Sequence, residues 1–334
     1  MRLSIVRLSA AILGMMFAVQ LSAPGPAAAE VRLVLSHHVP VSHVIHATAQ
    51  RFAETVRQKT NGEVIVDIRP NAQLFGMENA VEALNLGTLD LAWGNLSALQ
   101  KWAPALGFAS MPFLFKDGDH AKRVFYGSAG RTIRDDVLAA AEVDVLAYGN
   151  AGFRIFVSKR PIHSAADAAG KKLRVPNIAA FVDMLRALKA NPVPMSATEI
   201  YTALQTGVID GMESPADYFV GAKIWEVTSD ATVTNHVFTA GALMASANAM
   251  RRLSPAQQAA VRDAAVEAVG EWMWSNVESG QAAALAELGK HMKVDSQPDI
   301  ESFRKATAGM VDAFVARYGR RADAYIKAVR DAGG

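Results

Sequence analysis

The sequence predicts an α/β protein made of two units. Strands and helices alternate over residues 31–94 and alternate again over 143–211, the rhythm by which helices cover the faces of a sheet. About 300 residues follow an apolar N-terminal segment, a length that suits roughly two domains. Near the C-terminus one helical pattern runs from 254 to about 290, roughly 50 Å at 1.5 Å per residue, longer than a single unit of this size.

The elements follow in order. Residues 31–36 read as an apolar strand. Residues 43–59 read as a helix, ended by Asn61-Gly62 in the manner of a left-handed cap. Residues 64–69 alternate Val64, Val66 and Ile68, the period of a strand, and turn at Pro70-Asn71. A helix over 78–86 stops at Gly87, and 89–94 is a third strand. MPFLF at 111–115 is a compact apolar turn. Residues 119–126 and 131–142 read as helices, and 143–148 as a strand. The second unit opens with a short helix from Ser164 and Asp167 to Gly170, a strand over 172–175 and a helix over 178–188. Ser196 and Glu199 form a capping box before a helix over 200–205. Residues 208–211 read as strand into turn, and 237–245 as an apolar strand returning to the first unit. Ser254-Pro255-Ala256-Gln257 is a second capping box, with proline at the first helical position, and opens the long helix.

Composition narrows the function. Arg2 and Arg7, the apolar run to Leu21 and the small residues Ala27-Ala28-Ala29 read as a signal peptide cleaved before Glu30. The run is short for a membrane anchor, and Pro24, Gly25 and Pro26 follow it. The chain has 34 Lys+Arg and 32 Asp+Glu; loss of Arg2 and Arg7 makes it formally neutral, unlike a nucleic-acid binder. Cysteine is absent, which excludes disulfides, a thiol nucleophile and a lipid-modified cysteine. No GxxxxGK, GxGxxG or GxSxG motif occurs, and Gly127-Ser128-Ala129-Gly130 is only superficially like the last. The signatures of these enzyme classes are therefore missing.

The chemistry concentrates between Gly149 and Pro215. GNAGFRIFVSKRPI places Arg154 after a turn, and GKKLRVPN places Arg174 at the end of a strand, where Pro176 favours extended geometry before it. An arginine so fixed offers a carboxylate two parallel hydrogen bonds. This segment, with ANPVPMSATEIYTALQTGVIDGMESP, resembles the second lobe of the DctP-type solute-binding proteins of TRAP transporters. KTNGEVIVDIRPNAQLFG, LNLGTLDLAWG, MPFLF and VFTAGALMASANAMRRLSPAQQAAV extend the resemblance along the chain.

The resemblance implies a two-lobed periplasmic-binding-protein-like fold with a hinge and a long helix spanning both lobes. Residues 1–29 are then the signal peptide, 30–151 with 238–280 the first lobe, and 152–237 with 281–334 the second. It implies a monomeric periplasmic receptor, without cofactor, that passes a small organic acid from the cleft to the membrane permease subunits. Nucleic acid and membrane insertion of the mature chain are not expected.

Arg174 is the leading candidate for gripping the ligand carboxylate, and Arg154 the next. Ser214 stands where many relatives carry asparagine. Trp93 ends a strand, where α/β proteins bind ligands. Tyr218 follows GMESP, Glu213 can receive a hydroxyl, amine or cation, and His37 and His38 lead out of the first strand. Gln73 and Asn95 are weaker polar candidates. With Ala179, Ala180 and Phe181, the aromatics Trp93 and Tyr218 favour an acid with an apolar or aromatic body. Two alternatives remain: a metal-binding receptor using His37, His38, His43 and His46, since His43 and His46 can share a helical face, and a periplasmic hydrolase.

Overall fold

A computed structural model describes residues 30–333; the signal peptide expected at 1–29 lies outside them. Among the described residues nine strands form one mixed sheet: β1 (Val31–Ser36), β2 (Val64–Arg69), β3 (Leu91–Asn95), β4 (Val143–Ser158), β5 (Lys172–Val175), β6 (Asn191–Pro194), β7 (Gly211–Pro215), β8 (Asp230–Ser246) and β9 (Lys293–Asp295). The order is β2-β1-β3-β8-β4-β7-β5-β6, with β9 beside β8. β1 pairs in parallel with β2 and β3, and β5 with β6 and β7, as helical crossovers require. The two parallel groups are the cores of two lobes, and the antiparallel ribbon β4–β8 carries the chain between them.

The ribbon is longer than the sequence indicated. β4 runs to Ser158 instead of ending near Tyr148, and β8 begins at Asp230 instead of 237. Gly149 and Gly152 read as turn residues, yet the strand passes through them. Gly149 stays in the ladder opposite Gly241, while Gly152, with φ +91°, sits in a bulge where the register slips between Asn150 and Phe153. Gln281 holds this bulge from the side: its Oε1 accepts from Phe153 N at 3.2 Å and its Nε2 donates to Phe153 O at 3.0 Å.

GMESP, read as a turn, is β7, paired with β4. β6 escaped notice because NPVP carries two prolines; it is tolerated because it lies at the sheet edge, where missing donors cost no ladder bond. The long helix forms as expected. Ser254 Oγ accepts from Gln257 N, Gln257 Oε1 accepts from Ser254 N, and helical geometry continues through residues 255–288. Its middle, Val266–Met273, is wound as a π-helix. The first part packs on helix Val44–Lys59 and the last on helix Ala216–Gly221, so one helix braces both lobes.

The last helical segment, Met310–Ala332, is two helices joined at a kink at Gly319 (φ +68°), and it departs from the expected division of the chain. Residues 281–334 were assigned to the second lobe, but Tyr325 stacks on Phe108 at 4.9 Å, and His120 Nε2 lies 2.8 Å from Val329 O. Both partners belong to the first lobe. The part before the Gly319 kink touches the second lobe through Arg317, 3.9 Å from Asp183.

Candidate functional site

The ribbon and both lobes enclose a cavity with about 660 Å³ of atom-free space, part of it open to solvent. The first lobe contributes the loop after β1 and the start of helix Met77–Asn85. The second contributes the end of β5, β7 and the start of helix Ala216–Gly221. Three contacts tie the lobes together around it. His43 Nε2 lies 3.2 Å from Asp217 Oδ2, Asn177 N donates to Glu78 Oε1 at 3.2 Å, and Gly221 approaches Ser42 so closely that a Cβ would stand 2.9 Å from Ser42 Oγ.

Arg174 lies in the wall, only 7% exposed. β5 delivers it in extended geometry, and its Nε and Nη2 donate to Met195 O at 3.1 and 2.8 Å. Among the described residues it forms no ion pair with a carboxylate. Burial lowers its pKa, an effect that Tyr218 and Glu213 only partly offset. A guanidinium enclosed without an anion is unfavourable by itself and favourable to any anion that enters.

Arg154 also lines the cavity but is already engaged. Its Nε and Nη2 hold the Glu213 carboxylate, with Nη2 to Oε1 at 2.8 Å, and Nη2 reaches Glu213 O at 2.8 Å. Phe181 lies beneath, 4.8 Å from ring centre to guanidinium, and His236 Nε2 stands 3.5 Å from Glu213 Oε2. Burial raises the Glu213 pKa, but Arg154 and His236 outweigh it and the net shift is downward. The arrangement fixes Arg154 as a rigid support, and Glu213, with no exposed surface, is closed to a ligand.

The other expected site residues divide. His38, Ser214, Tyr218 and Asn95 line the cavity with the two arginines. Tyr218 donates to Ala197 O at 3.3 Å. His38 keeps part of its surface open, while burial, then His43 and His37, then the arginines hold its pKa down to about 3, so it is neutral. Trp93, Glu213, His37 and Gln73 do not line it. Trp93 is 3% exposed and lies across the ribbon, where a Cβ on Gly149 or Gly241 would stand 2.2 Å from its ring. The chain dips under the ring, which makes Trp93 core. Gln73 is exposed on a loop. Ala179, Ala180 and Phe181 are also outside the wall, so the residues that argued for an apolar ligand body are mostly absent from it.

The four histidines have separate tasks. His37 Nε2 contacts His46 Nδ1 at 3.0 Å, and burial and His46 lower the His37 pKa to about 4. His43 caps its helix: Nδ1 accepts from Ile45 N at 3.2 Å, so Nε2 carries the proton and donates to Asp217. Among the described residues no three His, Asp or Glu side chains are placed to share a metal ion. Sequence reading missed Glu78, Ser196 and Thr239 in the wall and weighed His43 only as a metal ligand. Thr239 sits inside an apolar run, which gave no sign of it. His43 caps its helix although histidine is not among the usual capping residues, so its type gave no cap signal.

A sheet crossed twice between lobes, with a buried cation facing the space between them, defines a two-lobed solute receptor. The chain belongs to the bacterial extracellular solute-binding proteins of family 7, DctP, whose profile matches residues 35–317. It is 30% identical over 301 residues to the sialic acid-binding periplasmic protein SiaP of Vibrio cholerae, covering 90% of this chain and 93% of that one. The TRAP periplasmic solute-binding protein of Roseobacter denitrificans, solved with L-galactonate, superposes with a TM-score of 0.84 at 31% identity, covering 91% of this chain and 99% of that one. The counterpart from Sulfurospirillum deleyianum, solved with succinate, gives 0.84 at 29% identity, covering 90% and 99%.

Proposed function

We propose that this protein is a periplasmic TRAP receptor that holds the carboxylate of a small organic acid on Arg174 and hands the acid to the membrane permease. The observation that carries the reading is the buried Arg174 guanidinium, which faces the cavity without an anionic partner. A carboxylate supplies the missing charge and accepts the planar fork, while Arg154, locked to Glu213, forms a fixed wall beside it. Relatives solved with galactonate and succinate support the ligand class. The lobes turn about the ribbon near the Gly152 bulge, and a ligand that touches both shifts the population toward the closed arrangement. Residues 1–29 direct export and are removed, and the mature chain acts as a monomer that binds without chemical change.

The test is a thermal-shift screen of organic acids, followed by small-angle scattering with the best one. Stabilisation by carboxylates and not by the matching neutral alcohols, with compaction on saturation, is expected. Absence of any carboxylate-dependent stabilisation, or compaction by neutral compounds alone, overturns the proposal.

A further inference from the structure

Most polar groups in the wall already have partners. Arg154 holds Glu213, His43 holds Asp217 and caps its helix, Tyr218 donates to Ala197 O, and Glu78 accepts from Asn177 N. Ser214 and Asn95 form no side-chain hydrogen bond among the described residues, but their polar atoms are not enclosed; two other wall residues differ. Thr239 Oγ1 and His38 Nδ1 are enclosed and make no hydrogen bond among the described residues. A buried polar atom without a partner destabilises the fold, and an orphan in a native protein calls for an explanation. Two orphans on one cavity point to something that enters it.

Their positions sharpen the inference. Thr239 lies on β8, 5% exposed, where the paired register jumps from Asn150↔Ala240 to Phe153↔Phe238. The bulge takes residues 151 and 152 out of the ladder, and both Ala151 and Thr239 line the space beside it. His38 lies on the loop after β1, close enough to feel the charges of Arg174 and Arg154. Both orphans thus share a cavity with the carboxylate site without being able to bind a carboxylate by charge. A threonine hydroxyl and a neutral imidazole each donate and accept, which suits an alcohol group.

We propose that His38 and Thr239 determine specificity by receiving hydroxyl groups of the ligand, so that the cavity takes a hydroxylated carboxylate and rejects the same carbon chain without hydroxyls. The inference rests on the carboxylate reading of Arg174 and adds the body of the ligand to it. It replaces the apolar body that the sequence favoured. An unsubstituted chain leaves both atoms orphaned in a drier cavity, and a site built to bond a hydroxyl discriminates strongly against its absence.

The experiment pairs each hydroxylated acid with its plain chain: galactonate and gulonate with hexanoate, erythronate with butanoate. Titration calorimetry is run on the wild type, Thr239→Val, His38→Leu and His38→Gln, with melting curves to establish folding. At least one hydroxylated acid is expected to bind, with its plain chain roughly 100-fold weaker. Thr239→Val, which keeps the shape of the side chain, and His38→Leu should each weaken the hydroxylated acid about tenfold and leave the plain chain unchanged. His38→Gln, which can again donate and accept, should recover part of the loss. Plain chains binding as tightly as hydroxylated ones, or folded Thr239→Val binding its hydroxylated acid like the wild type, overturns the inference. Binding of plain chains alone sinks it while sparing the carboxylate reading. Failure of every acid, including succinate, sinks that reading too.

Discussion

Arg174→Ala separates the contribution of this residue to binding from its contribution to folding. Removing one member of a buried charged pair typically costs about 2 to 5 kcal/mol. At 1.4 kcal/mol for each tenfold, ligand affinity should fall roughly 30-fold to several thousand-fold. The effect on stability is easily read. With ligand at 100 times the wild-type Kd, the wild type gains about 2.7 kcal/mol of stability. A 30-fold weaker variant at the same concentration gains only about 0.9 kcal/mol, and a thousand-fold weaker one almost nothing. The unliganded variant behaves differently. Arg174 is buried, its pKa is lowered by that burial, and it lacks an ion pair. Its removal relieves that burial but also leaves Met195 O without its donors and opens space in the wall, so the melting temperature without ligand should change far less than the liganded one. Arg174→Lys should recover part of the binding, because an ammonium lacks the planar fork. Calorimetric titration and melting curves with and without ligand decide the matter. Wild-type affinity in a folded Arg174→Ala protein refutes the reasoning.

Three further outcomes are expected. Glu213→Gln leaves Arg154 buried without its counter-charge and should destabilise the fold by about 3 to 5 kcal/mol, measured by denaturant unfolding; a change under about 1 kcal/mol would show that the pair is not structural. Trp93→Ala should cost about 3 to 5 kcal/mol of stability and Gly149→Ala about 1 to 3, with ligand affinity in folded Trp93→Ala close to wild type; a loss of affinity matching that of Arg174→Ala would return Trp93 to the binding wall. His37 and His38 have pKa values lowered from 6.5 to about 4 and about 3, so below pH 6.5 the unfolded chain takes up protons that the folded one refuses. Stability without ligand should therefore fall as pH drops from 6.5 toward 4, and His37→Gln should flatten that fall in a pH series of melting curves; an unchanged slope refutes the assignment.

Local pattern carried the sequence reading furthest where chain neighbours decide the structure. β1, β2 and β5 fall on the expected residues, and the capping boxes at Ser196 and Ser254 form. The reading failed where distant residues decide. Gly149 and Gly152 look like a turn until Trp93 and Gln281 are packed against them. NPVP looks like a loop until β5 offers it an edge. In the site, Arg174 was legible because Pro176 and the strand before it fix its backbone. Trp93 was misplaced because the end of a strand can face either the cleft or the core, and two glycines far along the chain settle which. Thr239 was illegible, since only the bulge in the opposite strand turns an ordinary β position into a wall of the cavity.

The strand order also sets a timetable. β3 stands between β1 and β8 in the sheet, so it has a neighbour on one side only until β8 has been synthesised. Phe108 then waits for Tyr325, nearly at the end of the chain. A nascent chain emerging from the ribosome cannot complete its first lobe early, and contacts of such long range form slowly. The first lobe is thus completed only when synthesis is nearly finished, so its folding is tied to that of the whole chain.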